Sequence, residues 1–273
     1  MSSDLLLARL PSELIVSIFG ALPSFSDVAW FAATSRRHRQ VWVDNAYTIY
    51  QQVAPRTIPC SKHARVLLAD QGGPPVSDTH LSFQEVLQLI RNAAALEQSV
   101  AEFEKNHISR VVEYSPFKLK TRLPHLTRTE RVRYIRGVYQ LWGLALLGPE
   151  PRQQRVQSMK LKDLLIVRDL ALGNVVHIPD PTVQAMGDGD PMAALEVICA
   201  DLYPRLEQLV SDYYDEYLSS WNWPYSEGLR GSITIWDSYY GNYKDMLLDD
   251  SRGRRCPAPE LVWYDTSDEE GIW

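Results

Sequence analysis

Residues 10–22, Leu10-Pro11-Ser12-Glu13-Leu14-Ile15-Val16-Ser17-Ile18-Phe19-Gly20-Ala21-Leu22, hold more apolar side chains than one short helix needs for a core of its own. Leu14, Ile15, Ile18, Phe19 and Leu22 recur at spacings of four and seven to eight. That gathers them on one side of a helix about 100° wide. Pro11 suits the first turn, where its missing N–H costs nothing, and Glu13 places a carboxylate at the positive end of the helix dipole. The pattern predicts a helix with an apolar flank that needs a partner.

Two more helices are expected directly after it. Ser24 or Ser26 can cap a second one carrying Val28, Phe31 and Ala32, and Thr34-Ser35 can end it and cap the next. The third is predicted from Arg36 to Val53, with Trp42, Ala46, Ile49, Tyr50 and Val53 on one face, until Pro55 and Pro59 interrupt the pattern. Three helices in about fifty residues make a core that is marginal alone. The unit is therefore expected to share its apolar surface.

The order Leu10-Pro11, Glu13-Leu14, Ile18-Phe19, Leu22, Asp27-Val28, Ser35-Arg36, Arg39, Val41, Asp44 resembles the F-box, over roughly residues 5–50. The chain departs from that pattern at His38, where a tryptophan is usual, and at Tyr47-Thr48, where Leu-Trp is common. A second similarity covers Leu126-Thr127-Arg128-Thr129-Glu130-Arg131-Val132-Arg133-Tyr134-Ile135-Arg136 and Tyr139, which resembles a helix of fungal F-box proteins. The resemblance implies that the chain binds a Skp-type adaptor, and through it a cullin-RING ligase of the SCF type. It would act as a non-catalytic receptor that brings an unknown protein substrate to ubiquitination. Carried over by position, the adaptor-binding candidates are Leu10, Pro11, Leu14, Ile15, Ile18, Phe19, Leu22, Val28, Phe31 and Val41. Part of that set must form the module's own core, and the sequence does not divide the two roles.

Composition fits an intracellular, cytoplasmic or nuclear protein. The 273 residues are 45% hydrophobic and 23% charged, enough for one large domain or two. No run of about eighteen apolar residues is present, and the segment Met1-Ser2-Ser3-Asp4-Leu5-Leu6-Leu7 lacks the basic flank and cleavage pattern of a secretory signal. A membrane partner is not expected. Cys60, Cys199 and Cys256 are far apart and odd in number, which suits a reducing compartment. A net charge of −6 argues against a nucleic-acid partner.

Beyond the F-box-like residues 1–55 the reading is mostly α. Residues 56–80, with Gly72-Gly73-Pro74-Pro75, are expected to be a linker or loop-rich connection. Residues 81–248 are expected to form an irregular helical domain for substrate recognition, and 249–273 a mobile charged tail. In the helical part, Leu81 to His107 carries Val86, Leu89, Ile90, Ala93, Leu96 and Val100 along one side. Thr127 with Glu130 is a capping box opening a helix to Leu146. Further helices are predicted from Gln154 to Leu172, and from Pro191 to Tyr217 with a kink or break at Pro204. Strand signals are confined to Asn174–Ile178 and Ser232–Trp236, and there is no fixed-period repeat.

No catalytic constellation emerges, and no cofactor or metal site is expected. His38, His63, His80, His107, His125 and His177 are not at ligand spacing. Asp188-Gly189-Asp190 reads as a turn and helix cap, and Asp212, Asp215 and Glu216 as a solvated acidic face. The rings of Trp221-Asn222-Trp223-Pro224-Tyr225, followed by Trp236, Tyr239, Tyr240 and Tyr243, suit either a recognition surface or a core. Two alternatives are carried forward: a helix-turn-helix in which Arg36, Arg37 and Arg39 touch phosphates, and an adaptor-bound F-box protein acting outside ubiquitination.

Overall fold

The computed structural model describes residues 10–78, 80–108, 125–172 and 191–213, and among these all regular structure is helical, with no strand. The mostly-α expectation holds. The helices are α1 (Ser12–Ala21), α2 (Phe25–Ala33), α3 (Arg36–Asp44), α4 (Ala46–Thr57), α5 (Ser61–Asp70), α6 (Phe83–Phe103), α7 (Arg128–Leu146), α8 (Pro149–Ser158), α9 (Leu161–Leu172) and α10 (Pro191–Tyr213). The two expected strands, Asp188-Gly189-Asp190, the aromatic cluster from Trp221 and the charged tail lie outside the described residues. The helices fall into two compact units, divided within α6 between Ala94 and Ala95.

In the first unit, α1 buries Ile15, Phe19 and Gly20. Ser24 caps α2 by accepting from the backbone N–H of Asp27, and Ser35 caps α3 by accepting from that of His38 at 3.0 Å. The predicted third helix, Arg36 to Val53, is in fact two. Asn45 leaves helical geometry at φ −121°, and its side-chain amide donates to the Val41 carbonyl at 2.9 Å. An Asn side chain competes in this way with the backbone for helix carbonyls. The chain then re-enters helix as α4 and continues past Pro55 to Thr57, burying Ala46, Ile49, Tyr50, Val53 and Ala54. From that last turn Arg56 reaches back, and its Nη2 donates to the carbonyls of Gly20 (2.5 Å) and Leu22 (2.8 Å). These carbonyls end α1 and have no partner within it.

The segment expected as a loop-rich connection contains a helix. α5 starts after Cys60, which holds a left-handed φ of 54°, and buries Ala64, Leu67 and Leu68. The strong helix formers of Ala64 to Ala69 outweigh the flanking Pro and Gly. Gly72, at φ 87°, closes the helix while Gly73 N–H donates to the Leu68 carbonyl at 3.0 Å, a glycine-dependent C-terminal cap. The first half of α6 completes this unit, with Val86, Leu89 and Ala93 buried and Phe83 meeting Trp42 edge-on at 5.0 Å.

The second unit begins with the other half of α6, where Leu96, Val100 and Phe103 are buried. A π-helical turn, Glu104–Ile108, follows, and its Glu104 carboxylate accepts from the Leu126 N–H at 3.0 Å. The Thr127–Glu130 capping box forms as expected and opens α7. α7 is buried along nearly its whole length, Val132 to Leu144. At Gly137 an added Cβ would lie 2.6 Å from Ile166 and 2.7 Å from Leu170, so this glycine is what lets α9 press against α7. The predicted helix from Gln154 to Leu172 is divided, because Met159 turns extended at ψ 145° and buries its side chain between α8 and α9 in sequence. α10 runs through Pro204 without interruption. Buried charges here are paired: Arg136 with Asp163 at 3.1 Å, and Arg168 with its neighbour Asp169.

Candidate functional site

The ten sequence-predicted docking residues divide into a base and a rim. Ile15, Phe19, Val28 and Val41 are buried and make the base. Leu10, Ile18, Leu22 and Phe31 are half-buried, Pro11 is exposed, and Leu14 is 50% exposed. The most exposed large apolar side chain near them was not among the ten: Trp30, at 77%. Its signal was present in the helical phase, since Ser26, Ala29, Trp30 and Ala33 point away from the buried Phe25, Val28 and Ala32 on the same helix.

Phe31 joins the three helices that carry this surface. Its ring meets Phe19 of α1 edge-on at 4.9 Å and stacks on His38 of α3 at 4.4 Å. His38 is buried, and its Nδ1 lies 2.8 Å from the Thr34 hydroxyl. That hydroxyl also lies 2.7 Å from the Phe31 carbonyl, so it bridges the ring of His38 to the end of α2. The histidine thus fills a core position, with its polar edge satisfied locally.

α3 turns Arg36, Arg37 and Arg39 outward, while His38, Val41 and Trp42 face the core. Arg37 ties this helix to the start of α1 through a bond from Nη2 to the Leu10 carbonyl. The apolar rim at Leu10 therefore has a basic edge.

The second unit holds a groove of about 710 Å³ between α8 and α10, lined by Glu150, Gln153, Gln154, Gln157, Ala200, Asp201 and Pro204. Asp201 is occupied, with one oxygen accepting from Arg152 Nε at 2.6 Å and the other from Gln153 Nε2 at 3.3 Å. Among the described residues no group of His, Cys, Asp and Glu is placed to hold a metal ion, and no helix is long and apolar enough to cross a membrane. Cys60 and Cys199 are buried thiols. What the described residues offer is surface chemistry: an apolar rim with a basic edge in one unit, and an amide-walled groove in the other.

No protein-family model matches this chain, and no curated protein or solved structure matches it.

Proposed function

We propose that the chain is an F-box substrate receptor, docking a Skp-type adaptor through α1 and α2 so that a cullin-RING ligase can ubiquitinate a protein held elsewhere on the chain. The observation that carries this reading is the exposure of Leu14 and Trp30, 50% and 77%, on consecutive helices whose inner faces are fully packed. A contiguous exposed apolar patch marks a protein interface, and we read these two side chains and their half-buried neighbours as one. The half-buried Leu10, Ile18, Leu22 and Phe31 surround them in sequence, in the order that resembles the F-box. In such a role the chain does no bond chemistry; it raises the local concentration of substrate, and the ligase supplies the reaction.

The test is co-purification with a Skp-type adaptor. Trp30→Ala should weaken capture about thirtyfold, as expected for a central aromatic anchor, and Leu14→Asp at least about a hundredfold by placing an unpaired charge in the interface. Both side chains are outside the core, so thermal unfolding should stay unchanged, whereas Phe19→Asp would damage the fold and report nothing about docking. Capture of adaptor by both variants at wild-type strength would overturn the reading.

The outward Arg36, Arg37 and Arg39 favour one rival, a helix-turn-helix whose basic face meets phosphates. Changing the three to Gln would then flatten the salt dependence of DNA binding by roughly 0.9 per lost contact. In the receptor reading the same change lowers adaptor affinity only modestly, because rim charges act mainly on association rate.

A further inference from the structure

We infer that the groove between α8 and α10 is a docking site for an extended peptide segment carrying an arginine or lysine. On the receptor reading this segment belongs to the substrate, and only that identification rests on it. Two stripes line the groove. Glu150, Gln154 and Gln157 follow spacings of four and three along α8, and Ala200 with Asp201 stands one turn before Pro204 on α10. Seven residues of helix extend about 10 Å, which matches roughly three residues of extended chain.

The chemistry of the lining selects for hydrogen-bond donors. Pro204 has no N–H to give the carbonyl four residues earlier, which is that of Ala200, and both residues line the groove. The Ala200 carbonyl therefore lacks the donor that a helix normally supplies from four residues on. Glu150 adds an exposed carboxylate, and no cationic side chain is part of the lining. Asp201 is already bonded to Arg152 and Gln153, which fixes the wall rather than adding free charge. Gln154 and Gln157, both exposed, offer carboxamides, which suit a peptide backbone because each gives and accepts. Small Ala200 and ring-closed Pro204 leave room on the floor. An acceptor-rich, singly anionic groove with amide walls complements a cationic, donor-rich side chain on an extended backbone.

The probe is a library of acetylated heptapeptides fixed at the centre as Arg, Lys, citrulline, Glu or Ala, bound to the full chain. Arg and Lys peptides should be retained about tenfold better than citrulline, Glu or Ala ones. Glu150→Gln should remove most of that preference. Pro204→Ala is the sharper variant: it restores an N–H to the Ala200 carbonyl, so thermal stability should rise while affinity for the Arg peptide falls about fivefold or more. Retention independent of the central residue, or unchanged affinity in both variants, would overturn the inference. If the wild-type chain selects nothing, but changing Arg252, Arg254 and Arg255 to Gln uncovers Arg-peptide binding, the occupant is the chain's own basic segment and the partner assignment fails. Adaptor capture by the same preparation separates the two proposals. Peptide selection without adaptor upholds the groove and removes only the receptor reading; adaptor capture without selection removes the groove.

Discussion

Tyr50 and Tyr134 each report the dryness of one unit. Burial pushes the Tyr50 phenol up to about 12, with Arg65 opposing the shift, and burial does the same at Tyr134, which also shares a 2.8 Å hydrogen bond with Ser99. Because the folded phenols hold their protons to higher pH than the unfolded ones, the fold's advantage is complete below about pH 10 and drains away between about pH 10 and 12. Each tyrosine should lose roughly 3 kcal/mol across that window. Tyr50→Phe should therefore flatten the alkaline decline measured by urea unfolding at stepped pH. A decline of equal steepness in the variant would show that other groups carry it. The rim residues were only partly legible at this scale. Apolar periodicity found Leu14 and Ile18 together with their buried neighbours Ile15 and Phe19, since all four obey one pattern, and it passed over Trp30 because that ring is out of phase with the pattern it was searched by.

Among the elements, those announced by a cap were read correctly, whereas Pro55 and Pro204 did not end the helices that hold them. Thr127 with Glu130 marks a helix start through bonds made within four residues, and α7 begins there. Replacing Thr127 with Ala should cost about 1 kcal/mol, visible as a lower denaturant midpoint with an unchanged slope. Gly72 likewise ends α5 by a conformation that few other residues adopt cheaply. The division at Met159 carries no such sign, and that at Asn45 carries only the one amide that bonds the Val41 carbonyl. Each interrupts an apolar pattern that continues on both sides, as Trp42 before Asn45 and Ile49 after it both lie inside. α5 was missed for the reverse reason, as Pro59 and Gly72-Gly73 punctuate the sequence at its two ends while its own residues favour helix.

At the scale of the molecule, the first compact unit runs past Gly72, where the sequence reading put a break, and through half of α6 to Ala94. A fragment ending at Phe103 should therefore unfold cooperatively by circular dichroism, and one ending at Gly73 should be much weaker. Losing the burial of Val86 and Leu89 alone removes roughly 1.5–3 kcal/mol for each side chain. Equal stability of the two fragments would place the boundary back at the glycines. Fold class was legible along most of the described residues, α5 apart, because helical periodicity is written in the other segments. The groove was not, since its walls come from α8 and α10 and no single stretch of sequence contains both.

The exposure of Trp30 also makes α2 optically distinct. A wet indole emits at longer wavelength than the sheltered Trp42 and Trp142, and a dissolved quencher such as iodide can collide with it. Subtracting the spectrum of Trp30→Phe isolates this one emitter among the eight tryptophans of the chain. Anything that settles on α2 must shift that difference spectrum to the blue and shield it from iodide, so the surface carries its own fluorescent label.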